Sequence, residues 1–266
     1  MDRSDMIVLY ALLGFVVGIL LNLAADQLPR WRRLRRRPFC PKCDRPRPWW
    51  AWSGSLAFLL FRRRCQECGE PISWRHPLTE LGTAALFAFL WQHYAGSEEA
   101  QLLVPYTIYA AIMVLVVVID LEHRLILTVV MYPAWVLAFL GSFFYPDPGH
   151  YLLSLLGGAI GFGLLWIVYW MGRLFLVVME KGRGKDINTE AFGYGDVRLG
   201  AFIGLMLGFP DVLAAIFYAI LLGGLVGMIY WFIQAVIRRR YSLFTPIPYG
   251  PFLVVGAAFV LFFGTL

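Results

Sequence analysis

Long apolar runs alternate with short polar segments along this chain. Ile7–Ala25 and Leu102–Ile119 contain no charged residue. Each approaches the ~20 residues that a membrane-spanning helix needs. The same pattern recurs and predicts eight spans, at roughly 6–27, 79–95, 102–120, 126–145, 151–179, 197–210, 212–237 and 249–265. The predicted fold class is therefore all-α and polytopic, with about eight transmembrane helices. The first run could be taken for a signal peptide, but its basic cluster follows the run and no small-residue cleavage site is evident. It reads as a spanning helix. The span at 197–210 is short, and Gly200, Gly204 and Gly208 recur every fourth residue along it. That spacing puts small residues on one face and predicts close helix contact, in a helix that is tilted or partly buried.

Composition agrees with this class. Hydrophobic residues make up 60% of the chain and charged residues 15%, against ~25% in ordinary soluble domains. The distribution of charge then sets an orientation. Residues 28–77 hold thirteen Lys and Arg, and Arg124, Lys181, Arg183, Lys185, Arg198, Arg238, Arg239 and Arg240 follow. With eight spans, these 21 of the 23 basic residues fall on one side, which the positive-inside rule makes the cytoplasm. Arg3 lies opposite and Arg173 lies within a span, while Asp2, Asp5, Glu98, Glu99, Asp147 and Asp211 mark the far face. Both termini are predicted outside the cytoplasm, and Asp120 and Asp196 at its membrane edge. The net charge of +6 follows from topology and calls for no nucleic-acid partner. A basic face suits the anionic headgroups of a lipid bilayer.

All four cysteines lie in the one sizeable polar segment, between the first two spans. They occur as Cys40-Pro-Lys-Cys43 and Cys65-Gln-Glu-Cys68, with 21 residues between the pairs. Two CxxC pairs so spaced fit a tetrathiolate zinc site. Disulfides are disfavoured in a reducing cytoplasm, and four thiolates leave no open coordination position, so the zinc would be structural. Gly69, directly after Cys68, suits a tight turn.

The stretch Gly193-Tyr194-Gly195-Asp196-Val197-Arg198-Leu199 puts an acid in a glycine frame where an apolar run begins. A carboxylate at a membrane helix is costly and marks a candidate site. Its predicted partner is Asp120, which ends the run 102–119. Two carboxylates sharing a site cannot both ionise easily. One can then take a proton from water while the other donates one. Gly193 and Gly195 permit close backbone approach. The plainer alternative is that both acids are helix-end charges reaching for water. Asn22 and Asp26 lie four apart, on one helix face. Glu80 begins the second span, and Glu122 and His123 follow Asp120. His76, His93 and His150 read as interfacial polar residues. There is no phosphate-cradling loop, no Ser-His-Asp order and no HExxH.

Taken together, these residues resemble the type IV prepilin peptidases, membrane aspartic peptidases of the GxGD type. The resemblance covers nearly the whole chain. Gly14, Gly18, Asn22 and Leu28-Pro29 resemble the opening of the family's first span. The cysteine pairs, Ile72-Ser73-Trp74-Arg75 and Pro77-Leu78-Thr79-Glu80 resemble its cysteine-bearing loop. Asp120 matches the first catalytic aspartate, and Glu190 to Leu199 matches the motif holding the second, Asp196, with Gly193, Gly195 and Arg198 in support. Ile247 to Phe252 resembles the start of the final span. The resemblance implies a bacterial inner-membrane enzyme acting at the cytoplasmic face. It would remove the short basic leader of type IV prepilins or type II secretion pseudopilins, after a glycine. It would then N-methylate the new amino terminus with S-adenosylmethionine. The implied division is a first helix at 1–27, a four-cysteine zinc-binding loop domain at 28–78 and a catalytic membrane domain at 79–266 with about seven helices.

There are departures. Where the family usually has Ile-Pro-Asp or Ile-Pro-Asn after the first aspartate, this chain has Ile126-Leu127-Thr128. Between the cysteine pairs, Trp52-Ser53-Gly54-Ser55 replaces the family's Asp-Asn-Ile-Pro. That bears on methylation first, and a cleavage-only peptidase is the alternative. The 181–190 segment, with Lys185, Asp186, Gly182 and Gly184, is longer than usual and reads as a flap. Glu80, Glu122 and Asp186 are candidates to attract a basic leader. A proton-coupled transporter would instead place acids near the bilayer midplane and show inverted repeats. A zinc-bearing scaffold would tolerate loss of both aspartates.

The orientation is testable. In a chain bearing Lys185→Cys as its one cysteine, an impermeant thiol reagent added outside intact cells is expected not to label that position. Efficient labelling there would overturn the predicted topology.

Overall fold

Glycine decides how closely the helices of this chain approach one another. The structure is a computed structural model that describes residues 3–30, 39–40, 42–48, 51–60, 64–183, 193–234 and 248–264. Among the described residues there are nine α-helices, three 3-10 turns at helix ends and no strand, only two isolated β-bridges. The helices are α1 (Arg3–Gln27), α2 (Gly54–Leu59), α3 (Arg75–Tyr94), α4 (Leu103–His123), α5 (Thr128–Gly141), α6 (His150–Arg183), α7 (Tyr194–Leu207), α8 (Asp211–Phe232) and α9 (Gly250–Phe263). A helix occupies each of the eight predicted spans. Four stretches, Ser4–Gln27, Ala100–His123, His150–Val178 and Asp211–Phe232, are long and apolar enough to cross a membrane. The others are shorter, as in α5, α7 and α9, or more polar, as in α3. The Arg238–Arg240 cluster and most of the predicted flap, residues 184–190, lie outside the described residues.

The chain divides into two compact units, Met1–His123 and Arg124–Leu266. In the first, α1 lies along α3 and both meet α4. A Cβ on Gly14 would stand 2.7 Å from the Thr83 carbonyl oxygen, and one on Gly18 would stand 2.7 Å from Glu80 Cα. The Tyr10 and Thr107 hydroxyls, 2.6 Å apart, tie α1 to α4. The outward face of α1 leaves Val8, Leu9, Leu12, Val16 and Leu20 exposed, as expected of a lipid-facing surface. The cysteine-bearing segment between α1 and α3 has only a small core of Ala51, Ala57 and Ile72, with Phe58 packed on it. Its one helix, α2, is capped by the Ser53 hydroxyl, which accepts from the Leu56 N–H.

In the second unit α7 is the enclosed element. Val197, Leu199, Phe202, Ile203 and Met206 are all buried, so the short predicted span is a core helix. Its glycines meet glycines of α6. A Cβ on Gly204 would lie 2.1 Å from the Gly157 carbonyl oxygen, and one on Gly161 would lie 2.3 Å from that of Gly200. The two backbones touch directly along this seam, and the Ser154 hydroxyl donates to the Leu205 carbonyl across it. α8 and α9 repeat the device at Gly256, where a Cβ would lie 2.4 Å from the Ala215 carbonyl oxygen.

Gly204→Ala must push backbone against backbone, which no side-chain rotation relieves. Overpacking of this kind costs about 1–3 kcal/mol. The variant is expected to unfold at a lower temperature in detergent, whereas Gly163→Ala, with nothing within 4 Å, is expected to match the parent. Equal melting of both variants and the parent would contradict the seam.

Candidate functional site

Two knuckles of the same design carry the cysteines. Phe39 bridges Pro46, and Arg64 bridges Pro71. Within the first, Cys40 N–H donates to the Arg45 carbonyl at 2.9 Å and Asp44 N–H to that of Cys40 at 3.0 Å. Within the second, Cys65 N–H donates to the Glu70 carbonyl at 2.8 Å and Gly69 N–H to that of Cys65 at 3.0 Å. The residue after each second cysteine turns through positive φ, Asp44 at 57° and Gly69 at 71°. Those positions favour Gly, Asn and Asp. Each CxxC is thus folded around one edge of a shared centre.

Cys40 Sγ and Cys68 Sγ are 3.6 Å apart, Cys43 Sγ and Cys65 Sγ are 3.8 Å apart, and all four sulfurs lie within 4.8 Å of one another. A tetrahedron with metal–sulfur bonds of ~2.3 Å has edges of about 3.8 Å, so the residues fit a metal ion. No disulfide forms. The titration of the thiols reflects the crowding. N–H groups of Cys68 and Glu67 lower the Cys65 thiol to about 7. At Cys68 the N–H of Glu70 lowers the thiol, but burial and contacts with Cys40, Cys43 and Cys65 outweigh it and push it up to about 12. Four thiolates cannot gather without a cation, and a divalent ion at their centre removes the conflict. Lys42 Nζ, 2.9 Å from Glu70 Oε2, links the knuckles on the outside.

This segment is anchored by Glu80. The side chain is fully buried, and all four of its partners are donors. Oε1 accepts from Gly54 N–H at 2.7 Å and from Asn22 Nδ2 at 3.4 Å. Oε2 accepts from the Ser53 hydroxyl at 2.6 Å and from Ser55 N–H at 2.9 Å. The stretch Trp52-Ser53-Gly54-Ser55, a departure in sequence, is where α3 grips the loop. Glu80 is therefore a structural anchor and not a group open to a basic leader. Asn22 and Asp26 do share a face of α1. Asn22 also donates to the His76 carbonyl at 3.0 Å, and Asp26 pairs with Arg75 and His76. His76, read from sequence as an interfacial residue, is buried in a charge cluster. His93 and His150 stack on Phe89 and Tyr145.

Asp120 stands in the last turn of α4, 5% exposed. Asp196 stands in the first turn of α7, 8% exposed, three residues into a helix that begins earlier than the predicted span. A helix N-terminus favours a negative side chain. The frame around Asp196 explains Gly195 and leaves little room at Gly193. A Cβ on Gly195 would lie 2.7 Å from Ile126 Cβ, and one on Gly193 would lie 3.3 Å from Asp196 Oδ2. Arg198 completes the frame. Its guanidinium donates to the Thr128 hydroxyl and lies 4.8 Å over the Tyr194 ring, while its carbonyl accepts from Trp135 Nε1 at 3.0 Å. The N-terminal turns of α5 and α7 are thereby locked together. Thr128, the other departure, supplies the oxygen on which Arg198 lands. Gly193, Gly195, Asp196 and Arg198 thus come together in the second unit. The four cysteines come together in the first, to which Asp120 also belongs. Sequence reasoning gave Arg75 no role, although it stands in the Ile72-Ser73-Trp74-Arg75 motif.

Comparison with known proteins adds a lineage. Residues 12–94 match the family model described as the bacterial peptidase A24 N-terminal domain, and residues 107–228 match the type IV leader peptidase family. A protein of Burkholderia pseudomallei (strain 1026b) is 30% identical over 91% of this chain and 72% of its own length. One of Bacillus subtilis (strain 168) is 29% identical over 94% and 92%, and one of Pseudomonas putida is 28% identical over 99% and 93%. All three are named prepilin leader peptidase/N-methyltransferase. No solved structure matches the chain.

Proposed function

Because this integral membrane protein belongs to the type IV leader peptidase family, we propose that it is an aspartic endopeptidase that removes the leader of type IV prepilins or type II secretion pseudopilins. The observation that carries this reading is Asp196, buried in the first turn of α7 directly after Gly195, where a Cβ would lie 2.7 Å from Ile126 Cβ. Asp120, buried in the last turn of α4, is its partner in the reading. All eight long helices span the bacterial inner membrane in it, and both aspartates act at the cytoplasmic face. One carboxylate takes a proton from water, and the oxygen attacks the carbonyl carbon of the peptide bond after the leader glycine. The other gives its proton to the departing nitrogen. The C–N bond breaks, leaving a leader carboxylate and a new amine on the mature chain. S-adenosylmethionine would supply a methyl group to that amine, the second activity of the proposal.

The metal of the proposal is zinc, held by Cys40, Cys43, Cys65 and Cys68. Four thiolates close its coordination shell, so its contribution is to fold the loop and not to activate water. The sulfur spacing of 3.6 and 3.8 Å supports this.

For the metal, purified reduced protein is expected to contain one zinc per chain. Combined Cys40→Ser and Cys43→Ser should release it, loosen the loop and reduce methylation more than cleavage. Zinc-free wild-type protein on metal analysis would rule the site out.

For the peptidase, wild-type protein mixed in detergent with a prepilin and S-adenosylmethionine should yield a product lighter by the leader and heavier by one methyl group. A product that lacks the methyl group would leave a cleavage-only peptidase. Asp120→Asn and Asp196→Asn are each expected to abolish cleavage while folding and zinc content persist. The double variant should be no worse, since residues that act as a unit are not additive. Thr128→Asp should keep activity, because a carboxylate offers Arg198 an acceptor as the hydroxyl does. Full cleavage by a folded Asp196→Asn protein would sink the assignment.

A further inference from the structure

Arg75 opens α3 directly after the cysteine-bearing segment, and its guanidinium forks between two other helices. Nη1 donates to Glu122 Oε2 at 2.7 Å, in the last turn of α4. Nη2 donates to Asp26 Oδ1, near the end of α1. His76 Nε2 stands 3.3 Å from the other Asp26 oxygen, so both oxygens of Asp26 are engaged. The Arg75 side chain is only 12% exposed, against 27% for Asp26 and 36% for Glu122. A guanidinium is suited to such a place because its planar fork serves two acceptors at fixed angles.

The position of Glu122 gives this contact its meaning. α4 ends at His123, and Arg124 turns away at φ 53°. The last turn of a helix has carbonyls without intrahelical donors and frays readily. Asp120 lies in that turn. Residues two apart do not share a helix face, so Arg75 grips the turn from a side that Asp120 does not occupy. We propose that Arg75 is a positioning residue for Asp120, holding the α4 terminus through Glu122 while Asp26 holds Arg75. The proposal rests on Asp120 being one of the catalytic pair. It also changes the role of Glu122 from a leader-attracting charge to a handle on the catalytic turn, and it connects the cysteine-bearing segment, through the residue that follows it, to the turn that carries Asp120.

The test is steady-state cleavage of a prepilin in detergent, with each variant checked for folding by thermal unfolding and kcat referred to folded protein. A misplacement of about 1 Å can cost on the order of 100-fold in rate. Arg75→Ala is expected to lower kcat ~10- to 100-fold and to leave KM within about twofold. Arg75→Lys, which can satisfy one carboxylate at a time, should fall between it and the parent. Glu122→Gln keeps an acceptor oxygen and should lose little, whereas Glu122→Ala should lose kcat as Arg75→Ala does. The Arg75→Ala, Glu122→Ala double variant should be no worse than Arg75→Ala, since the contact that Glu122→Ala removes is already absent there. If Arg75→Ala does not fold, Glu122→Ala decides, because it leaves the Arg75–Asp26 pair in place. A raised KM with unchanged kcat for Glu122→Ala would restore the leader-binding role and overturn the proposal. Inactive Asp120→Asn beside fully active, folded Glu122→Ala would overturn it alone. Active, folded Asp120→Asn would overturn the peptidase reading beneath it.

Discussion

A buried carboxylate is costly unless it is paired or hydrogen-bonded, and the buried acids of this chain are arranged around that cost. Glu80, fully buried, is surrounded by four donors from α1 and the cysteine-bearing segment. Asp26 is paired with the Arg75 guanidinium and stands within hydrogen-bond reach of His76. Asp196 opens a helix whose N-terminal dipole favours it. Two of these solutions also do the work of assembly. Donors drawn to Glu80 bring a nearly coreless loop onto α3, and the fork drawn to Asp26 and Glu122 bridges three helices.

Much of this was legible in the sequence because it depends on spacing. Apolar runs located a helix at every predicted span, the CxxC pairs predicted the sulfur cluster, and the recurrence of Gly200, Gly204 and Gly208 predicted a close contact. What spacing could not supply was the other half of each contact. Gly157, Gly158 and Gly161 stand on a different helix, with no local mark that pairs them with α7. Ser53 and Glu80 are 27 residues apart, and only the folded loop turns an apparent surface acid into an anchor. α7 begins at Tyr194, ahead of the predicted 197, because hydropathy registers the apolar run and misses the polar first turn that glycine permits.

Thr128, where the resembling family carries Asp or Asn, offers Arg198 a side-chain oxygen at the start of α5. Arg198 needs an acceptor at the start of α5, and a hydroxyl there meets the same need as a carboxylate or amide. A neutral acceptor leaves the guanidinium charge to be spread over the Tyr194 ring, a cation–π contact worth ~0.5–2 kcal/mol depending on desolvation.

The length of α6 has a mechanical consequence. At 34 residues and 1.5 Å per residue it is about 51 Å long, while the hydrocarbon layer is ~30 Å thick. Even tilted by ~40°, it covers about 39 Å along the membrane normal. The glycine seam clamps only its first half, from Ser154 to Leu165. α6 is thus a cantilever: a stiff rod built into the protein by the glycine seam and by the Tyr169–Tyr194 ring contact at 5.5 Å, and longer than the hydrocarbon layer is thick. A small rotation at the seam becomes a displacement of several ångströms at Arg183, where the chain leaves α6 on its way to Gly193.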